Sequence, residues 1–308
     1  MKAALAPLAL LLLCAAPTRA QVGPPDRLSL TWENDLVAGT DRHYTNGMVL
    51  ELAGRLDPLL LPAWLAADEA EWGLTVGQQM YTPERLSEVN VISDDRPYGG
   101  FCGAGAFVRR RLSTLGWEDR IQLTLGVIGP SSGAHRAQEL AHTMLSSEPP
   151  RGWHNQMRDE LGVALSYQGS LRLARVDVGG LGCDLRPRMG ATLGNVATFV
   201  SLGLGVRIGL NLPERLGPEP AAPALRVYLL AGADVRLVGH DVFLDGSLFR
   251  DGGHRIEKER MVTDLRLGFV VAIYDRVTLS YVHTVRSREF VGQRRGNQYG
   301  SLTLSISW

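Results

Sequence analysis

The C-terminal stretch YGSLTLSISW constrains the fold more than any other part of the sequence. Leu302, Leu304, Ile306 and Trp308 alternate there with small polar residues. Successive side chains of a strand point to opposite faces, so this strand has one apolar face and one polar face. A soluble sandwich also contains such strands. An apolar face that ends on an aromatic residue is, however, typical of a β-barrel strand that faces lipid and ends at the membrane interface.

The same alternation recurs along the chain. Charged residues such as Glu51, Arg236 and Arg266 fall on the polar face, which is solvated in a soluble sheet and faces the lumen in a barrel. The apolar faces comprise Leu28, Leu30 and Trp32; Met48, Leu50 and Leu52; Ile121, Leu123 and Leu125; Leu161, Val163, Leu165 and Tyr167; Leu265, Leu267 and Phe269; and Val277, Leu279 and Tyr281.

The first 20 residues, MKAALAPLALLLLCAAPTRA, have the pattern of a secretory signal peptide. One lysine precedes an apolar run, and small residues stand at Thr18 and Ala20, so we expect cleavage after Ala20. The alternative is a membrane anchor, but the run is short for a span of about 20 residues. The sequence therefore predicts an exported protein whose mature part is residues 21–308.

The composition argues against nucleic-acid binding and against a disulfide-rich fold. Lysine plus arginine equals aspartate plus glutamate, at 32 each, so no charge excess suggests nucleic-acid binding. Two cysteines remain beyond the first 20 residues, Cys102 and Cys183, and two cysteines do not make a disulfide framework. They either pair or stay free thiols.

One all-β domain follows from these patterns, an antiparallel transmembrane β-barrel over residues 21–308. Bacterial barrels have an even number of strands, and this length accommodates about 12. Two segments break the alternation. The segment from Pro58 to Ala70 reads as a loop with a helical turn. The segment from Ser131 to Ser147 predicts a short helix in an extracellular loop, with Ser132 as its cap.

Residues 33–47, ENDLVAGTDRHYTNG, concentrate oxygen donors between two predicted strands. Calcium takes six to eight oxygens from carboxylates, amides and backbone, and this stretch offers many. The spacing is not that of an EF-hand loop, and turns favour aspartate and asparagine in any case. A calcium site and an ordinary hairpin both remain open. The donors are Glu33, Asn34, Asp35, Thr40, Asp41 and Asn46.

The predicted helix carries a second polar group. Gln138 and His142 stand four residues apart and therefore share a face. A solvated polar face explains the pair equally well. His135, Glu139 and His142 could also be read as zinc ligands, but the HExxH spacing is absent.

Ten short motifs occur in an order that resembles the outer-membrane lipid A 3-O-deacylase family. The resemblance covers nearly the whole mature chain, and the ordered set is more specific than any one motif. The motifs are END (33–35), TDRHYTNG (40–47), GQQMYTPE (77–84), DDRPYGG (94–100), GVIGPSSG followed by Gln138 and His142, GW..Q (152–156), LGNV (193–196), R.G.NLP (207–213), LDGSLFRD (244–251) and REF.GQ (288–293).

The resemblance implies a 12-stranded outer-membrane barrel with its active site near the extracellular rim. It implies an esterase that removes the 3-O-linked acyl chain of lipid A with Ca²⁺, and it assigns His142 as general base with Gln138, Asn34 and Asp35 as catalytic partners. Asp35 with Thr40 and Asp41 are the expected metal ligands. The sequence departs from the family pattern at Gly99, at Ser247 and at Gly133–His135.

The expected partners are lipopolysaccharide, the lipids of the bacterial outer membrane and the barrel assembly machinery. We expect no nucleic acid and a monomer. Arg96 and Arg136 near the rim are candidates for binding lipid A phosphates. Two other functions remain open. An outer-membrane phospholipase would use the same ester chemistry, and a passive pore or structural barrel would use the polar clusters only to line its lumen.

Overall fold

The computed structural model describes residues 20–35, 43–145, 149–219 and 221–308. Most of the predicted signal peptide, together with Thr40 and Asp41, lies outside the described residues. The strands are β1 (Val22–Asn34), β2 (His43–Leu56), β3 (Glu69–Thr82), β4 (Gly99–Leu112), β5 (Trp117–Ile128), β6 (Glu160–Leu171), β7 (Ala174–Val178), β8 (Leu181–Gly194), β9 (Ala197–Leu210), β10 (Leu225–Asp241), β11 (Met261–Ile273), β12 (Val277–Arg286) and β13 (Asn297–Ser307). The α-helices are α1 (Ala134–Leu145) and the single turn α2 (Val242–Asp245).

Twelve of these strands close into an antiparallel barrel, as the sequence predicts. β1 pairs with β13 and β6 pairs with β8, and these two pairings close the sheet on itself. The short β7 follows β6 after a break at Arg172 and Leu173 and pairs with β8. It is therefore an extra strand that extends one side of the barrel.

Every apolar face identified in the sequence lies on the outside of the barrel. Leu30 is aligned with Leu50 on β2 and with Leu304 on β13, and all three side chains are exposed. An outer surface of aliphatic side chains is what a bilayer requires of a barrel. Among the described residues, no helix is long and apolar enough to cross a bilayer.

Paired charges line the lumen. Arg27 donates to both carboxylate oxygens of Glu71 at 3.0 Å, and Arg109 also reaches Glu71 at 3.1 Å. Between β11 and β12, Arg286 donates to both oxygens of Asp264 at 2.8 and 3.1 Å. Buried charges are tolerated when they are paired in this way.

Both ends of the lumen are covered. At one end, the described residues 211–219 of the β9–β10 connection fold across the opening, where Arg55 donates to the carbonyl of Pro218 at 3.1 Å and Arg215 reaches Glu69 at 3.1 Å. At the other end, the buried side chain of Phe243 on α2 stacks on Tyr81 at 4.2 Å. Among the described residues, segments of the chain therefore lie across both ends of the lumen.

The connections at the end that carries α1 and α2 are longer on average, and we assign this end to the extracellular side because outer-membrane barrels have short periplasmic turns. The predicted loop near Pro58 contains two 3₁₀ turns, at Pro58–Leu60 and Ala63–Leu65, but β3 begins at Glu69, slightly earlier than expected. The predicted helix is confirmed in place, and it begins at Ala134, after a separate 3₁₀ turn at Pro130–Ser132.

Cys102 and Cys183 are both free thiols. Cys102 lies on β4 opposite Gln78, whereas Cys183 lies on β8 opposite Ile208. The two cysteines are therefore on different parts of the barrel wall and form no disulfide.

Candidate active site

The end of β1 carries the first polar group predicted from the sequence. Asn34 is the last residue of the strand and is mostly buried, and Asp35 follows it with a fully buried side chain. The pairing of β1 with β2 places Asn34 opposite Asn46. A buried carboxylate at the end of a strand is unusual because it loses its hydration.

Asn34 lies on the lipid-facing side of the barrel wall. The outward-facing Trp32 donates its indole N–H to the Asn46 side-chain oxygen at 2.8 Å, and the Asn34 amide donates to the same oxygen at 3.3 Å. An indole N–H can only donate, so the Asn46 atom at this position is an acceptor and Asn34 must present its NH₂. The other arm of the Asn34 amide, its carbonyl oxygen, therefore points away from Asn46.

Helix α1 also lies against the outer surface. Gly100 faces outward on β4, and a Cβ there would lie 2.3 Å from the Ala134 Cβ and 2.3 Å from the Ser132 hydroxyl. The Gln78 side chain, which also faces outward, donates to the carbonyl of Ser132 at 2.6 Å. The predicted cap is present in weak form, because Ser132 accepts from the Ala134 N–H at 3.4 Å. The absence of a side chain at Gly100 thus allows the helix to contact the wall.

Among the described side chains of α1, the buried ones are Ala134, Gln138 and His142, and they form one stripe. These residues are four apart, so they lie along one face of a helix. Leu140 is 63% exposed on the opposite side. The solvated-face interpretation of Gln138 and His142 is therefore wrong, because this polar face is the one turned toward the barrel.

The two polar groups lie at the same end and on the same side of the wall. Asn34 is aligned with Asn46, Asn46 with Met80 and Met80 with Gly100, so Asn34 is three strands from the start of α1, or about 14 Å. The helix contacts β4 and β3, the strands on the path to β2 and β1.

His142 is two turns, or about 12 Å, from Ala134 along α1. The distance from the start of α1 to His142 is therefore similar to the distance from the start of α1 to Asn34. Direct contact between Asp35 and His142 stays a prediction.

The segment before β4 supports the helix from the extracellular side. Asp95 accepts hydrogen bonds from the backbone N–H groups of Glu84 and Arg96, both at 2.7 Å. Burial raises the pKa of the Asp95 carboxyl, although these two hydrogen bonds lower it. The segment leads to Tyr98, which is buried with Met80, Ala134 and Trp153 in one cluster.

Trp153 is a site residue that sequence reasoning did not single out, and Asn46 was predicted only as one of six possible oxygen donors. Trp153 donates to the Gln138 side-chain oxygen at 2.6 Å, and Asn46 joins Trp32 to Asn34 as described above. Both residues occur in the quoted motifs GW..Q and TDRHYTNG. The motifs marked their positions, but only the register of the strands shows which side of the wall they face.

Comparison with known proteins agrees with this geometry. The family described as outer membrane protein LpxR matches residues 6–308 of the chain. The chain belongs to the LpxR family. The resemblance drawn from the ordered motifs is therefore confirmed, as is the location in the outer membrane.

Among solved structures, LpxR from Salmonella typhimurium superposes with a TM-score of 0.77 at 20% identity, covering 92% of this chain and 100% of that one. The β domain of the Bordetella autotransporter BrkA aligns with a TM-score of 0.47 at 11% identity, covering 92% of this chain and 99% of that one. A search of curated protein sequences found no match. The Salmonella structure thus supports the barrel fold of this LpxR-family chain.

The departures from the family pattern have local explanations at two positions. A Cβ at Gly99 would lie 2.7 Å from Phe243, so α2 occupies the space that an alanine would need. His135 stacks on Trp153 with ring centroids 5.5 Å apart. Nothing in the structure explains Ser247 in place of the expected asparagine.

The zinc interpretation of α1 does not fit this LpxR-family chain. His135 pairs with Glu139 at 3.1 Å on the more exposed side of the helix, while His142 lies on the buried stripe. The three side chains therefore do not converge. Among the described residues, no group of three or more histidine, cysteine, aspartate or glutamate side chains could hold a metal.

The residues near Asp35 fit a hard cation better than a soft one. The buried Asp35 carboxylate and the carbonyl arm of the Asn34 amide are oxygen donors of the kind that Ca²⁺ prefers. Thr40 and Asp41, the other expected ligands, lie outside the described residues. The donor chemistry therefore fits Ca²⁺, with Asp35 as the carboxylate that the described residues supply.

The two rim arginines differ. Arg96 is only 1% exposed, and its guanidinium lies between Glu289, at 3.4 Å, and the face of Tyr81, at 4.5 Å. It is buried in the fold, so the hypothesis that Arg96 binds a lipid A phosphate is wrong. Arg136 is exposed on α1, and its proposed role stays a prediction.

Proposed function

We propose that this protein is a calcium-dependent outer-membrane esterase that removes the 3-O-linked acyl chain of lipid A. The observation that best supports the proposal is that the site lies on the outer side of the barrel wall. Gln138, His142 and Asn34 are at the extracellular end and on the outer side of the wall, buried beside the surface that faces the lipids of the outer leaflet.

The surface below the site suits acyl chains. Trp32, Met48 and Leu50 are exposed on the outer face of β1 and β2, directly below Asn34 and Asn46. A lipid whose chains lie along this strip places its head-group ester linkages near the end of the strands. The substrate therefore reaches the site from the side, without leaving the membrane.

Ester hydrolysis requires a base, a donor to the carbonyl oxygen and an acid for the leaving group. In its neutral form, His142 accepts a proton from water as the water oxygen bonds to the carbonyl carbon. The bond from that carbon to the 3-oxygen then breaks, and His142 returns the proton to the 3-oxygen. The products are a free fatty acid and a lipid A with a 3-hydroxyl group.

Gln138 and Asn34 orient the reacting groups. Each presents an amide that can hydrogen-bond to the ester carbonyl or to the attacking water. Ca²⁺, when bound by Asp35, supplies positive charge that polarises the ester carbonyl. Thr40 and Asp41 are the further ligands proposed for it.

The covers at both ends of the lumen argue against the passive-pore alternative. The charges there are paired with one another, and both ends are covered by segments of the chain. A phospholipase would use the same catalytic groups, so the choice between the two lipid substrates depends on experiment.

The decisive experiment is mass spectrometry of lipid A and phospholipids from Gram-negative cells that express the protein. We expect lipid A to lose the mass of one 3-O-linked acyl chain, with phospholipids unchanged. Unchanged lipid A together with new lysophospholipid would establish the phospholipase instead. Unchanged lipids of both kinds, with folded protein in the outer membrane, would refute the esterase proposal.

A further inference from the structure

The indole of Trp153 and the side-chain amide of Gln138 form a buried pair behind α1. The Trp153 Nε1–H donates to Gln138 Oε1 at 2.6 Å, and the two residues are 1% and 2% exposed. The tryptophan lies in the 3₁₀ turn Trp153–Asn155, which is a separate element from α1. This turn follows the helix in the same extracellular connection between β5 and β6.

Trp153 is itself held in place from two sides. Its ring lies 4.9 Å from the Tyr98 ring and 5.5 Å from the His135 ring. The preceding residue, Gly152, has no room for a side chain, because a Cβ there would lie 2.4 Å from Tyr98. The indole therefore has one position from which it can donate.

This contact fixes which arm of the Gln138 amide faces the site. An indole nitrogen is a donor only, so the atom that faces it must be the carbonyl oxygen of the glutamine. The Gln138 NH₂ group then points the other way. It is buried and has no hydrogen-bond partner among the described residues.

A buried amide donor without a partner is uncommon in folded proteins and is a feature that a ligand can explain. Gln138 lies between Ala134 and His142 on the stripe that faces the barrel wall. Gln138 is therefore one helical turn from the proposed base, on the same buried stripe. A carbonyl oxygen that acquires negative charge is a suitable acceptor for such a donor.

We propose that Trp153 is a positioning residue that holds Gln138 with its NH₂ group toward the scissile ester, where it donates to the carbonyl oxygen. The proposal rests on the esterase function above and assigns a separate role to each of three residues. His142 moves the proton, Gln138 stabilises the oxyanion and Trp153 prevents the amide from turning over. A reversed amide would present an oxygen to the developing negative charge and oppose the reaction.

Trp153→Phe is the variant that separates the hydrogen bond from the packing. Phenylalanine keeps an aromatic ring against Tyr98 and His135 but removes the N–H donor. Misplacement of a catalytic group can lower a rate by up to about 100-fold, and we expect kcat to fall by about 10- to 100-fold with KM nearly unchanged. Trp64→Phe, the same substitution at an exposed turn between β2 and β3, is the matched control and should have wild-type kinetics.

A double-mutant cycle tests whether the effect passes through Gln138. Gln138→Ala should lower kcat by about 10²–10³. If Trp153 acts through Gln138, Trp153→Phe should have no further effect in the Gln138→Ala background. Gln138→Glu keeps the acceptor for Trp153 but removes the donor, so it should be as inactive as Gln138→Ala. Full additivity of the two losses, or wild-type kcat in Trp153→Phe, would overturn the proposal.

A spectroscopic measurement keeps this proposal distinct from the proposed function. In detergent-solubilised protein with ¹⁵N-labelled tryptophan, loss of the hydrogen bond in Gln138→Ala should shift the Trp153 indole N–H resonance and leave the Trp64 resonance in place. A Trp153 resonance that does not move would refute the pairing. Wild-type protein that leaves lipid A intact while the Trp153 resonance moves would refute the substrate assignment alone.

Discussion

Gly100 on β4 and Ala134 on α1 are in direct contact, so close that a Cβ on the glycine would lie 2.3 Å from the alanine Cβ. The contact is on the outer face of the barrel. It places the first turn of α1 against the wall and thereby orients the stripe that carries Gln138 and His142. One residue without a side chain thus determines whether the proposed catalytic helix can reach the barrel.

Gly100→Val should detach this helix without unfolding the barrel. The added side chain would overlap both Ala134 and Ser132, so we expect deacylation to fall by at least about 100-fold. Ala104→Val, at an outward-facing and exposed position four residues along the same strand, is the control and should keep wild-type activity. Heat-modifiable mobility on gels would report barrel folding for both. Wild-type activity of Gly100→Val would show that the helix does not need this contact.

His142→Ala should abolish the proton transfer. General-base catalysis contributes about 10²–10⁴ in rate, and lipid A from cells that express this variant should keep its 3-O-linked chain. His154→Ala removes an exposed histidine from the same connection and should leave the mass shift intact. Deacylation by His142→Ala at the wild-type rate would assign the base to another residue.

Removal of calcium should stop the reaction reversibly. Excess chelator should reduce hydrolysis in detergent–lipopolysaccharide micelles to the background rate, and added Ca²⁺ should restore it. Asp35→Asn loses the carboxylate charge and should need more Ca²⁺ for half-maximal activity. The control is Asp94→Asn, which changes an exposed carboxylate that pairs with Arg85 in the β3–β4 loop. Persistent activity in chelator would exclude the metal role.

Asp264→Ala should destabilise the barrel but leave the chemistry intact. Asp264 is buried and has Arg286, Arg236 and Arg266 within 4 Å, at 2.8, 3.5 and 3.8 Å. Removing one partner of a buried ion pair typically costs about 3–5 kcal/mol of unfolding free energy. Urea unfolding in detergent should show this loss, whereas Asp251→Ala on an exposed loop should unfold like the wild type. Equal midpoints for the two variants would contradict the assigned role of the lumen charges.

Purified protein in planar bilayers should not conduct ions. The described residues 211–219 and the α2 turn cover the two ends of the lumen, and paired charged side chains line the space between them. Stable single-channel steps of the size produced by porins would refute the covered-lumen description and support the pore function.

The barrel was predictable because the alternation of apolar and polar residues recurs from strand to strand. The alternation of Leu302, Leu304 and Ile306 depends only on the two-residue period of a strand, and the outer surface confirms it. The helix was predictable for the same reason, from its own period. Signal-peptide cleavage, assembly by the barrel machinery and the monomeric state stay predictions.

The site was only partly predictable. Gln138 and His142 are both buried on the inner stripe of α1, and this stripe could not be told from a solvated face by spacing alone. The contact of Trp153 with Gln138 depends on how a long connection folds back, and no local period encodes it. Arg96 shows the opposite error, because an arginine predicted to bind a lipid A phosphate is enclosed by Glu289 and Tyr81.

The covered lumen has a consequence for how the enzyme must be measured. Because described segments cover both ends of the lumen, the substrate and lipid product of the proposed reaction would enter and leave by lateral diffusion in one leaflet. The relevant substrate concentration is then a mole fraction per area of membrane, and diluting the enzyme in water does not change it. Rates compared between preparations should therefore be expressed against the surface density of lipid A.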